Sequence, residues 1–183
     1  MRSAIVRYTV FFGLAGLILV LDQWTKWLVR QTIILGDSWT PLPFLRPFFN
    51  ITHWENTGAA FGLFQAGGEF FKIVAVVVAG VIVYYYSQLP PGGWLVRLAL
   101  SLQLAGALGN LIDRLTRGPV TDFIHFTNFP IFNVADASIS TGVALLAVTM
   151  LLENRKSSRA AEPPPIELPT AETSAVPLQS PPA

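Results

Sequence analysis

The sequence has no cysteine, only two histidines and little charge. Zero cysteines exclude disulfides, thiolate metal ligands and a cysteine nucleophile. His53 and His125 are isolated from each other and no H-E-x-x-H run is present, so nothing suggests a zinc-dependent hydrolase. No serine stands in a G-x-S-x-G setting, which leaves serine catalysis without a recognisable arrangement. Charged residues make up 13% of the 183 residues, against roughly 25% in an ordinary globular domain. The net charge is +1 and no basic stripe is interleaved with aromatics, so nothing points to nucleic acid. Apolar residues are abundant, at 52%, and mean hydropathy is +0.51. A soluble domain of this length needs more charge than this to cover its surface. The composition is that of an integral membrane protein.

A spanning helix needs about 20 mainly apolar residues. Four windows meet that requirement: about 8–29, 70–89, 94–112 and 130–152. The stretches 73–96 and 137–152 carry no charge, and Pro90-Pro91-Gly92-Gly93 divides the first of them into two helices with a tight turn. Arg2 and Arg7 ahead of an apolar run resemble the start of a signal peptide. However, Asp22-Gln-Trp-Thr-Lys26 follows where a small-residue cleavage site belongs, so the segment is read as a retained helix. The connector 31–69 holds Pro41, Pro43 and Pro47 and is too broken to span, with a short strand expected near 48–54. Residues 114–129 form a second connector on the same side. The segment 153–183 holds seven of the fourteen prolines, seven charges and no aromatic, and is expected to be a disordered tail.

Four antiparallel spans place the polar residues by parity. Asp22 and Lys26 fall late in the first helix, Asn110, Asp113 and Arg114 at the end of the third, and Asn133 and Asp136 at the start of the fourth. Asn56 and Asp122 lie in the connectors of that same face. Ionisable groups in a bilayer are costly and normally face the bundle interior, paired and functional, so this sorting predicts one polar site near one membrane surface. Asp22 and Lys26, spaced i,i+4, share a helix face and can pair, either structurally or to position a substrate. Asn110 is within reach of Asp113 and Arg114, and adjacent opposite charges there suit a structural role. Asp136 has no cation near it on its own helix, which suits a functional one. Asp122 alone reads as a loop carboxylate. Ala105, Gly106 and Gly109 let a neighbouring helix approach closely, and Trp24, Trp27, Trp39, Trp54 and Trp94 suit interfacial anchoring. Two carboxylates in a partly dry pocket share one proton, so that one can activate water while the other protonates a carbonyl. Spacing leaves open which two aspartates meet.

Taken in order, the motifs resemble those of the lipoprotein signal peptidases, or signal peptidase II family. They are Asp22-Gln-Trp-Thr-Lys26, Asn56-Thr-Gly58-Ala-Ala-Phe61, Gly106-Ala-Leu-Gly-Asn-Leu-Ile-Asp-Arg114, Val120-Thr-Asp-Phe123 and Phe132-Asn-Val-Ala-Asp136. The resemblance covers about residues 8–152. It implies a four-helix transmembrane bundle, all-α but for a small β-structured cradle in the first extracytoplasmic connector. It implies an aspartic endopeptidase, free of metal and cofactor, that cleaves prolipoproteins just before a diacylglyceryl-modified cysteine. The catalytic pair then matches Asp122 and Asp136. Asp22, Lys26, Asn56, Gly58, Asn110, Asp113, Arg114 and Asn133 match supporting and substrate-binding positions. Membrane lipids and globomycin-type cyclic peptide inhibitors are implied partners, and the bacterial cytoplasmic (inner) membrane is the implied location.

Orientation is weakly encoded. Arg2, Arg7, Arg97, Arg155, Lys156 and Arg159 share the face of the termini; Lys26, Arg30, Arg46, Lys72, Arg114 and Arg117 share the other. Setting aside Lys26 and Arg114 as site residues leaves six against four, favouring cytoplasmic termini and an outward-facing site, as the resemblance also implies. The alternative of a different class is a small proton-coupled transporter, which predicts carboxylates spread through the membrane depth.

Overall fold

A computed structural model describes residues 2–58, 68–90 and 92–160. The order is α1 (Arg2–Thr32), β1 (Ser38–Trp39), a 3-10 turn (Pro43–Leu45), β2 (Phe49–Asn56), α2 (Gly68–Gln88), α3 (Trp94–Thr116), β3 (Val120–Phe126) and α4 (Val134–Ala160). All four helices are long and apolar enough to cross a membrane. Each expected span is therefore present, with shifted ends. α1 begins at Arg2, and α4 begins at Val134 rather than near 130, because Phe132 bridges the sheet at Ile124 and Asn133 caps the helix. α4 also runs on to Ala160, past the expected end at 152. The rest of the expected disordered tail lies outside the described residues.

α3 is the central helix. More than half of its spanning stretch is buried, against about a fifth of each of the other three, and it packs on α1, α2 and α4. Outward faces of α1, α2 and α4 carry exposed Val, Ile, Leu and Phe, as helices solvated by lipid should. Toward the end bearing the termini, the interior is apolar: Phe11 and Ala15 pack with Ile82, Tyr86, Leu100, Leu104 and Ala105. Phe11 and Tyr86 stack at 3.8 Å between centroids. The α2–α3 turn uses the expected glycines, Gly92 and Gly93 having φ of +112° and +63°.

Small residues let α3 and α4 approach closely. A Cβ on Gly106 would collide with the Ala135 carbonyl oxygen and the Ile139 side chain, and one on Gly109 would meet Asp22 Oδ2 at 2.6 Å. Gly142, on the facing helix, would meet the Ala99 carbonyl oxygen at 2.7 Å. Ala105 does not share this seam, since it packs in the apolar cluster of α1, α2 and α3. We expect Gly106→Ala to push α3 from the start of α4, costing about 1–3 kcal/mol, the usual range for overpacking. Thermal melting in detergent checks this, and an unchanged melting temperature contradicts it.

The sheet sits at the other end. β2 lies between β1 and β3, all antiparallel, with Trp54 opposite Asp122, Asn56 opposite Val120 and an irregularity between Ile51 and Trp54. β3 thus joins the second connector to the first, where the sequence suggested only one short strand. After β3 the chain turns at Asn128 (φ +64°) and returns, so that Phe132 bridges Ile124. That return sets Asn133 beside Asp122 at the mouth of α4.

Candidate active site

Lys26 is the centre of an ionic cluster between α1 and α3. Its Nζ lies 2.9 Å from Asp22 and 3.0 Å from Asp113, and donates to Asn110 Oδ1 at 3.0 Å. Lys26 and Asp22 are 0% exposed and Asp113 is 1%. An unpaired charge so buried is very costly, and three groups satisfying one another make the cluster tolerable. Asp22 Oδ1 also accepts the Ala135 backbone N–H at 2.9 Å, one of the otherwise orphaned donors in the first turn of α4. α1 thereby holds α3 by charge and α4 by its N-terminus.

Asp122 and Asp136 are held differently. Asp122 Oδ1 accepts from Asn133 Nδ2 at 2.6 Å, and Oδ2 from Asn56 Nδ2 at 3.0 Å. Asp136 Oδ1 accepts from Asn110 Nδ2 at 2.7 Å. At the start of α4, Asn133 Oδ1 accepts the Asp136 backbone N–H at 2.9 Å while Asp136 Oδ2 faces the Asn133 N–H at 3.4 Å, a reciprocal cap. Neither carboxylate makes an ion pair among the described residues. Asn133 Nδ2 reaches Asn110 Oδ1 too, at 3.2 Å, so the two asparagines link the pair to the lysine cluster.

This difference in partners separates the four aspartates, three buried and Asp136 half-buried, into two kinds. Asp22 and Asp113 face a lysine. Asp122 and Asp136 face amides, which orient a carboxylate without forbidding it a proton. Burial, with the Asp136 charge adding to it, pushes the Asp122 carboxyl up to about 7, against the smaller opposing pull of the Asn56 and Asn133 hydrogen bonds and of Lys26. Asp122 and Asp136 also line one cavity of about 540 Å³, and Asp22, Lys26 and Asp113 do not. Its walls are Phe129, Ile131 and Ile139 on the apolar side and Asn56, Asn110 and Arg114 on the polar side.

The ten residues singled out from the sequence converge on this end, with two changes of partner. The Asn110 side-chain amide meets Asp136, Lys26 and Asn133 rather than Asp113 or Arg114. Arg114 is not the cation for Asp113. It donates to the Asn110 and Gly58 carbonyls at 3.5 and 3.4 Å and stands 5.2 Å over the Phe71 ring. Both changes arise because α3 turns Asn110 toward α4 and Asp113 toward α1, directions that sequence separation does not encode. Gly58 belongs through its backbone, its N–H donating to Asn56 Oδ1 at 3.0 Å.

Three residues were missed. Gln23 Nε2 donates to the Gly109 carbonyl at 3.0 Å and reaches Asp22 and Asp113. Arg30 donates to Thr121 Oγ1 at 3.0 Å and lies 3.9 Å from Asp113. Thr121 gives its backbone N–H to Asp113 Oδ2 at 3.2 Å, which ties β3 to the ionic cluster beside Asp122. Extending the i,i+4 series from Asp22 and Lys26 one step further finds Arg30. His53 and His125 stay outside the cavity, hydrogen-bonded to the Ile33 carbonyl and to Thr52.

A family profile described as signal peptidase (SPase) II matches residues 14–152. The lipoprotein signal peptidase of Staphylococcus carnosus is 42% identical over 156 residues, spanning 83% of this chain and 95% of the relative. That of Bacillus subtilis is 42% identical over 154 residues, spanning 82% and 98%. A solved structure described as a bacterial membrane enzyme superposes with a TM-score of 0.75 at 35% identity, over 84% of this chain and 93% of the other. A second, of the same description, gives 0.70 at 36% identity, over 78% and 92%. With the four spans, the sheet and the polar cluster all in place, the chain belongs to the signal peptidase II family of membrane-embedded lipoprotein signal peptidases.

Proposed function

We propose that the chain is an aspartic endopeptidase of the bacterial cytoplasmic membrane, with Asp122 and Asp136 as its catalytic pair. It removes the signal peptide from prolipoproteins by cutting before the diacylglyceryl-modified cysteine. The observation that carries this reading is the division of the four aspartates: the two that line the cavity are held by amides, and the two outside it by Lys26. Like charges in a partly dry site favour one shared proton. The ionised member takes a proton from water, the protonated member donates to the scissile carbonyl, and the hydroxide equivalent adds to the carbonyl carbon. The carboxyl that took the water proton then protonates the departing nitrogen, while the other takes a proton back from a gem-diol hydroxyl. The C–N bond breaks, the new carboxyl group forms and the singly protonated pair is restored. Asn110, Asn133 and Asn56 fix the carboxylates, and Arg114 sits in the wall with donors directed at backbone carbonyls, where a substrate backbone can compete for them. The apolar wall suits the lipid-bearing residue and globomycin-type cyclic peptides. The termini face the cytoplasm and the cavity opens at the extracytoplasmic surface.

The test is incubation of the purified chain with a diacylglyceryl-modified prolipoprotein across a pH series, products being read by mass. Cleavage before the modified cysteine is expected. Because the Asp122 proton is retained up to about 7, the singly protonated pair is lost as pH rises through that value. The rate therefore falls about tenfold per pH unit beyond it. Asn56→Ala removes a donor that favours the ionised form, so this alkaline limb moves to higher pH. An uncut substrate, or a rate still rising at pH 9, rejects the reading.

A further inference from the structure

The end of the bundle opposite the aspartates contains two arginines that the reaction does not use. Arg7 lies near the start of the α1 span and Arg97 in the first turn of α3. With Tyr8, Tyr86, Ser87 and Leu89 they line a cleft of about 20 Å³ between α1, α2 and α3. The Arg97 guanidinium stands 5.3 Å over the Tyr86 ring and donates through Nε to the Gly92 carbonyl at 2.9 Å and through Nη2 to the Pro90 carbonyl at 2.5 Å. The Tyr86 hydroxyl is already committed to the Arg7 carbonyl, at 2.8 Å.

The residues that line the cleft include no carboxylate. Neither arginine pairs with a carboxylate among the described residues. Arg7 Nε is buried with no hydrogen-bond partner there. Guanidinium does not deprotonate, so it cannot shed the cost of an unmade bond as a lysine can. Two such cations about one tyrosine also repel each other unless an anion lies between them. The position says which anion is at hand. Exposed Tyr84, Tyr85 and Trp94 surround this end, the aromatic belt of a helix boundary, which places the cleft at headgroup depth. Its volume suits a single oxygen, and a phosphate oxygen projecting into it accepts charge-assisted hydrogen bonds from guanidinium.

We propose that Arg7 and Arg97 bind the phosphate of an anionic phospholipid at the end of the bundle opposite the catalytic pair, tying α1 to the α2–α3 turn. The test uses the full chain in lipid-free detergent, titrated with phosphatidylglycerol, phosphatidylcholine or inorganic phosphate. Bound lipid is counted by native mass spectrometry and melting temperature is followed in parallel. Phosphatidylglycerol should bind and raise the melting temperature of the wild type. Arg7→Gln should weaken that binding about tenfold and Arg7→Gln/Arg97→Gln further, the size expected for losing charge-assisted hydrogen bonds. Phosphatidylcholine, whose ammonium competes for its own phosphate, should bind less well. Because Arg97 also braces the turn, Arg7→Gln alone is the decisive variant, and its melting temperature without lipid should match the wild type. Unchanged phosphatidylglycerol binding by Arg7→Gln overturns the site. Equal stabilisation by inorganic phosphate overturns the lipid assignment.

Discussion

Asp122→Asn and Asp136→Asn are each expected to lower prolipoprotein cleavage by roughly 10³-fold, within the range lost when a general acid or base is removed, while the protein stays folded. Each exchange is almost isosteric and removes a titratable oxygen from the cavity. At position 122 the new amide meets two donors, Asn133 Nδ2 and Asn56 Nδ2, so one hydrogen bond is lost. That is a modest structural cost, of about 1 kcal/mol. Relief from burying a carboxylate next to Asp136 works in the opposite direction. Asp113→Asn provides the contrast. Asp113 stands in the most conspicuous motif of the chain, yet it is paired to Lys26 and lies outside the cavity. Its variant should lose stability first and keep far more activity, measured below its melting temperature. The assignment fails if Asp113→Asn is the inactive variant and either cavity aspartate is dispensable.

Lys26→Met carries the largest expected cost to stability. Asp22 and Asp113 would remain in a fully buried site with neutral donors from Gln23, Thr121 and Ala135 and, among the described residues, Arg30, 3.9 Å from Asp113, as the one cation in reach. Breaking a buried pair by removing one partner typically costs about 3–5 kcal/mol. For a chain of this size that is on the order of 10 °C in melting temperature. Because the loss comes from stranded carboxylates, Lys26→Met/Asp113→Asn should recover part of it, a positive coupling that independent sites do not show. A Lys26→Met protein that melts with the wild type would mean that the three groups do not depend on one another.

The same residues show what was legible beforehand. Asp22 and Lys26 pair as their i,i+4 spacing predicts, because both lie on one helix whose geometry is local. Asn133 and Asp136, spaced i,i+3, form a reciprocal cap for the same reason. The four spans were visible because a bilayer demands long apolar runs, and parity then assigns every polar motif to one end. Neighbours brought together by packing were not visible. Nothing in the spacing says that Asn110 turns to Asp136 and Asp113 to Lys26, or that Arg114 meets backbone carbonyls rather than a carboxylate. Gly142 and the β2–β3 pairing were overlooked because each has meaning only against a partner on a distant element.

By itself, then, the scarcity of charge and its placement along the chain determined a membrane protein with four spans and one polar end. Tertiary structure alone decided which two of the four aspartates face a lysine and which two face amides. Lys26, reaching from α1, neutralises two of them, and the return of the chain after β3 brings Asn133 between the other two. A carboxylate's chemistry depends on whether its nearest partner is a cation or an amide, and that partner is chosen by the packing of separate helices.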